Sequence, residues 1–304
     1  MRTLWAFLVL LAGGSARAQT VLSAREIVQR SVARDARNFD RYKDYTYHEL
    51  LTAKNLDQKG AVTRTESTLS EILPIGGRPY ERVLERDGKP LSEKEARKEQ
   101  EALDREAARR AKETDRDRAK YERERQEERR FAQEIPEAFT LTLVGEENVD
   151  GLPVWKIHLV PKRDYRPREG RADVLKKVRG DVWIDHAGYQ WVRAELEVID
   201  TISWGFFVLR IPPGAKISFS QTRVNDEVWL PRQIHVRTDA KIALLKTFRV
   251  ELDLAYSEYR KFRAESQVIG AEEVTPEPKD IRSREPILGI GTLIRKRIFG
   301  VQAI

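Results

Sequence analysis

The stretch Phe248-Arg249-Val250-Glu251-Leu252-Asp253-Leu254-Ala255-Tyr256 places an apolar side chain at every second position and fills the gaps mainly with charge. Side chains of a β-strand point alternately to its two faces, so this period of two predicts a strand with one face buried and the other wet. The same pattern recurs upstream. Phe139, Leu141 and Leu143 alternate with Thr140 and Thr142, and Trp155, Ile157 and Leu159 alternate with Lys156 and His158. Val192, Ala194, Leu196 and Val198 oppose Arg193, Glu195 and Glu197, which puts Trp191 on the charged side; Ile217 and Phe219 oppose Ser218 and Ser220.

Turn residues punctuate these segments at Asn148-Val149-Asp150-Gly151, Ala187-Gly188 and Asn225-Asp226. Nearer the start, residues 42–51, 61–73 and 79–86 read as three strands, separated by Asp57 to Gly60 and by Gly76-Gly77 and closed by Asp87-Gly88. About ten strands with one buried face predict a mainly β (α+β) fold. The expected architecture is a strongly curved antiparallel sheet or incomplete β-barrel, with a closed barrel or a two-sheet sandwich as the alternative.

Two helical regions break the pattern. Ser23 and Glu26 form a capping box ahead of Ile27, Val28, Val32 and Phe39, which predicts a helix over residues 23–39 packed on the sheet. Ser92 and Glu95 open a second run with no glycine or proline until Pro136, where the helix is expected to end. Between Leu91 and Ile135 fourteen acidic and fourteen basic residues cancel, in pairs such as Glu93 with Arg97 and Glu101 with Arg105. Its apolar positions do not sustain a heptad, so a coiled coil is rejected. The expectation is a long solvated helix or helical hairpin inserted in the β domain and removable from it.

The first eighteen residues have the layout of a secretory signal peptide: Arg2, an apolar run over 4–12, and the small-residue site Ala16-Arg17-Ala18. Cleavage after Ala18 leaves about 286 residues, enough for one large β domain over 19–262, interrupted at 91–135. No cysteine occurs, which excludes disulfides, thiolate metal sites, cysteine nucleophiles and a lipid-anchored cysteine. The expected location is the periplasm or the exterior. Residues 263–304 read as a linker with a disordered or amphipathic tail carrying Arg295-Lys296-Arg297, too short and too charged to span a membrane.

The net charge of +7 is spread rather than gathered on one face, and no stacking motif accompanies it, so no nucleic-acid partner is expected. No catalytic pattern emerges either. G-x-S-x-G, the P-loop and the dinucleotide fingerprint are missing. His48, His158, His186 and His235 have no second histidine at ligand spacing, so neither metal nor cofactor is expected, and Asp185-His186 is the only local pair worth watching for chemistry. What stands out is the run from Ile199 to Leu209, too apolar for an exposed loop. Its Ile202, Trp204, Phe206 and Phe207, with Trp183 and Trp229 on neighbouring strands, are the candidate lining of an apolar ligand cavity.

Gly180-Asp181-Val182-Trp183-Ile184-Asp185, the following Tyr189-Gln190-Trp191-Val192-Arg193-Ala194-Glu195, and Asp226-Glu227-Val228-Trp229-Leu230-Pro231 are similar to recurrent segments of one family. Over roughly residues 23–262 the chain resembles the LolA/LolB-like periplasmic lipoprotein carriers and their outer-membrane lipoprotein-sorting-like superfamily. The resemblance implies an open half-barrel with a helical lid, an apolar cavity for acyl chains of lipids or lipoproteins, and no enzyme chemistry or cofactor. The charged insert between Ser92 and Glu134 departs from the family pattern. It supports a second reading, an envelope interaction protein that uses this insert to dock a partner.

Overall fold

The computed structural model describes residues 22–168, 170–204, 209–242 and 246–261. The expected signal peptide and the tail lie outside them. Helix α1 (Ala24–Tyr42) starts at the predicted capping box, in which Ser23 and Glu26 each satisfy the other's backbone N–H. Strands β1 (Tyr45–Leu56), β2 (Val62–Ile75), β3 (Arg78–Arg86) and the short β4 (Lys89–Pro90) follow as a meander. Helices α2 (Glu93–Ala111) and α3 (Asp115–Ala138) come next. Then β5 (Phe139–Val149), β6 (Leu152–Pro161), a 3-10 segment (Gly170–Lys177), β7 (Val178–Asp185) and β8 (Trp191–Val198). Last are β9 (Ile202–Trp204), β10 (Leu209–Ile211), β11 (Lys216–Val224), β12 (Val228–Ile242) and β13 (Lys246–Lys261).

All thirteen strands join one sheet, in the order β4-β3-β2-β1-β13-β12-β11-β8-β7-β6-β5, with the small β9–β10 hairpin attached to the end of β12. Every pairing is antiparallel and the sheet does not close into a barrel. The incomplete barrel, not the closed barrel or the sandwich, is therefore the architecture. Its two edges, β4 and β5, are consecutive in the chain, and α2 and α3 are the connection between them.

One face, here called inner, carries the main core. Tyr47, Leu51, Ile157, Ile184, Ile234 and Leu252 belong to it, and α1 buries Ile27, Val28 and Val32 against it. The outer face carries the charged partners of the alternating strands. In the middle of the sheet, Lys54, Glu251, Arg237, Lys216, Glu197 and Arg179 lie in cross-strand register. Such a ladder alternates sign only in part, and each directly opposed opposite-charge pair contributes roughly 0.2–1 kcal/mol.

The insert takes the two-helix form of the two expected, because Thr114 and Asp117 form a further capping box that starts α3 after a short turn. Two expectations change. Pro136 does not end the helix: it lies in the last turn of α3, where its missing N–H removes just one internal bond. A register shift between Trp183 and Ile184 of β7 pairs Arg193 with Trp183 but Trp191 with Ile184. The bulge moves Val192 to the outer face and brings Trp191 against the inner core, opposite to the simple alternation.

Candidate functional site

The inner face is apolar and roofed by helices over part of its width. Helix α1 packs on β5, β7 and β12 and on α3. The last turns of α3 add Phe131, Ala132 and Ile135 to the same core. Glu134 fixes this end: buried, it accepts hydrogen bonds from the Tyr165 hydroxyl at 2.5 Å and from the Arg168 N–H at 3.0 Å. Burial, followed by that bond to Glu134, pushes the Tyr165 phenol well above its usual range, which keeps it a donor. On β1, β2, β12 and β13 the face continues through Ala53, Ile72, Val236, Val250 and Leu254. Buried polar side chains interrupt it: Glu49 and Ser70, opposite each other in register, Glu66, paired with Arg64, and Thr238, whose hydroxyl lacks a hydrogen-bond partner among the described residues.

The proposed cavity residues divide. Ile202, on β9, is 3 % exposed and part of the inner core. Trp204 ends the same strand; Phe206 and Phe207 lie outside the described residues. Trp183 and Trp229 do come together, but in a separate cluster with Val154 and Val192 on the other side of the sheet. Trp183 donates its ring N–H to Glu147 at 2.7 Å, and Lys156 and Arg193 sit over its ring at 4.9 and 5.1 Å. That is a cationic clasp on the outer face, separated by the sheet from Ile202.

A cleft of about 380 Å³ opens between α1 and the β7–β8 turn, lined by Arg30, Ala33, Arg34, Ala187, Gly188 and Tyr189. Arg30 donates to the Tyr189 hydroxyl at 2.9 Å, with its guanidinium 5.3 Å from the ring centre. Tyr189 lies 5.3 Å from the Trp155 ring, and Trp155 stacks on His186 at 4.1 Å. Both Tyr189 and Trp155 pack against the inner core, so the cleft's aromatic wall continues into it. The turn is held by Asp185, whose carboxylate accepts from the Gly188 N–H at 2.5 Å, and by Tyr189 at φ +55°, an unusual backbone for a non-glycine residue. Asp185 and His186 therefore serve different partners. Beneath the turn Gln190 donates to Asp35 at 3.1 Å, and burial raises the Asp35 carboxyl despite that bond.

Of the remaining histidines, two make cross-strand pairs with aspartates on the outer face. His158 Nδ1 is 2.7 Å from Asp181 and His235 Nδ1 is 2.8 Å from Asp253. Each pair sits directly opposite in register, which no spacing within one strand reveals. His235, Asp253 and Glu251 bring three donor atoms within 4.8 Å of one another. Lys54 already lies 3.1 Å from Glu251 and 3.8 Å from Asp253, and Arg237 is Glu251's neighbour in register, so the cluster's charge is balanced.

No family model matches the chain, and no curated sequence matches it at a significant level. Solved structures do. They include a domain assigned as an outer membrane lipoprotein-sorting protein from Vibrio parahaemolyticus, at 11 % identity over 79 % of this chain and 94 % of that one, TM-score 0.34. A LolA superfamily protein from Nitrosomonas europaea is 11 % identical over 81 % and 96 %, TM-score 0.29. The MucA/MucB complex of Pseudomonas aeruginosa supplies a third, 11 % identical over 79 % and 99 %, TM-score 0.23. The likeness is one of fold. Among the described residues no helix is long and apolar enough to cross a membrane.

Proposed function

We propose that this chain is a non-catalytic binding or carrier protein of the periplasm that holds acyl chains of a lipid or lipoprotein on the inner face of its open sheet. The observation that carries the reading is how that face is covered. The sheet stays open between β4 and β5, and helices joined by loops roof the inner core. Helices of this kind can move aside as units while every sheet hydrogen bond survives, so access to the apolar face does not require unfolding. An acyl chain gains about 25 cal/mol for each Å² of apolar surface removed from water. Ile202, buried in the core, and Trp204, at the end of β9, are the proposed ligand-contacting residues, together with Phe206 and Phe207.

Native mass spectrometry of the full chain purified from the envelope of cells tests this. Adducts with acyl-chain masses are expected, and charged replacements Trp204→Glu with Phe206→Glu should strip them. A protein that carries no adduct and gains no thermal stability from acyl ligands would overturn the carrier reading. A second reading, partner docking through α2 and α3, is favoured by the exposed, charge-balanced surface along most of α2 and the first turns of α3. Site-specific crosslinking from α2 would then trap one defined envelope protein, and reversing the charges of Glu101 and Arg105 should release it without changing acyl retention.

A further inference from the structure

We propose that the cleft between α1 and the β7–β8 turn binds an oxyanion of the phosphate class, as the headgroup subsite for the amphiphile whose chains occupy the inner face; this rests on the carrier reading above. The cleft is lined by two guanidinium groups, Arg30 and Arg34, and by no carboxylate. Neither arginine lies within ion-pair distance of a carboxylate among the described residues; Arg30 donates to the neutral Tyr189 hydroxyl and interacts with Glu26, one turn earlier on α1, only at longer range, and Asp185 beside the cleft accepts from the Gly188 N–H. Two guanidinium groups therefore face one concavity whose lining offers them no carboxylate.

Arginine's planar fork suits a tetrahedral oxyanion, which accepts two parallel N–H bonds from each group. The spacing along α1 helps: Arg30 and Arg34 are four residues apart, one turn, and so share a face. The Tyr189 ring and Trp155 form an aromatic wall that leads from this cationic mouth into the inner core. An amphiphile laid along that wall would leave its charged end between the arginines and its chain against the sheet. At about 380 Å³ the cleft has room for a headgroup, not merely for a water.

The test uses the full chain, with dodecyl phosphate, the uncharged dodecyl maltoside and inorganic phosphate as probes, each measured by calorimetry at low and high salt. The wild type is expected to prefer dodecyl phosphate over the maltoside by about tenfold or more, a preference that shrinks with added salt. The double variant Arg30→Gln with Arg34→Gln should erase the preference and leave maltoside binding unchanged; circular dichroism and the melting temperature confirm its fold. Inorganic phosphate competing with dodecyl phosphate in the wild type and not in the variant would also support the site. Equal binding of both amphiphiles before and after the substitutions would overturn the headgroup subsite while leaving the carrier reading intact. Binding of phosphate alone, lost in the variant, would keep the anion site and sink the carrier reading. No binding of any probe would sink both.

Discussion

Gly180 has φ +155°, and a Cβ built on it would lie 1.9 Å from the Glu195 carbonyl oxygen on the neighbouring strand. No flexible side chain stands there to give way, so β7 and β8 must separate to admit even a methyl group. Gly180→Ala is expected to cost more than about 3 kcal/mol in denaturant titrations. Arg110 makes a different kind of local bargain. Its guanidinium, in a residue 6 % exposed, donates to the carbonyls of Ile75 and Arg78 at 2.8 Å and of Pro79 at 3.2 Å, and pairs with Glu106. Arg110→Met keeps the stem but orphans those carbonyls, for an expected loss of about 2–3 kcal/mol and faster hydrogen exchange at the β2–β3 turn. Glu106 adds a pH term. Hydrogen bonds from Arg109 and then Arg110 hold its carboxyl at about 2, against an ordinary value of 4.5. Its folded value is the lower one, so its contribution is full above pH 4.5 and is lost as pH falls towards 2. The α2 end of the insert should therefore loosen across that window, and Glu106→Gln should flatten the dependence, as read by exchange protection around Arg110.

At the scale of elements, the insert repays comparison with its sequence. The capping boxes at Ser23 and Ser92 were legible because a cap is a local hydrogen-bond pattern written in four consecutive residues. The box at Thr114 and Asp117 has the same logic but was hidden inside an unbroken charged run. Strand positions were legible wherever alternation is strict. The faces of Val192 and Trp191 were not, because a bulge is fixed by the partner strand rather than by the strand that carries it. The cleft was equally unreadable: it joins a helix near the start of the chain to a turn more than a hundred residues later. The insert also proves to be attached at several points. Arg110 ties α2 to the β2–β3 turn, Arg78 pairs with Glu113 and lies over the Tyr121 ring at 4.7 Å, and Glu134 ties α3 to Tyr165 and Arg168. Deleting residues 92–134 behind a short turn therefore removes more than a solvated arm. The sheet is expected to fold still, but with a melting temperature lower by about 10 °C or more, measured by calorimetry.

Across the whole molecule, one seam of the sheet joins the first described strand to the last. Tyr45 of β1 pairs with Lys261 of β13, and β13 lies between β1 and β12. Without β13 the sheet falls into two pieces, β4 to β1 and β12 to β5, each with an open inner edge. A chain stopped after Ile242 is expected to lose cooperative unfolding in calorimetry and to aggregate in light scattering, since an unpaired strand edge templates pairing with other chains. The same arrangement governs how the protein comes into being. A polypeptide synthesised from its N-terminus completes β1 early and must hold that strand's bare edge in reserve until almost everything else has been made. Contacts so distant in sequence are slow to form. Joining of the two pieces is thereby postponed until residues 246–261 are available, leaving an interval in which the bare edge of β1 calls for a chaperone to guard it.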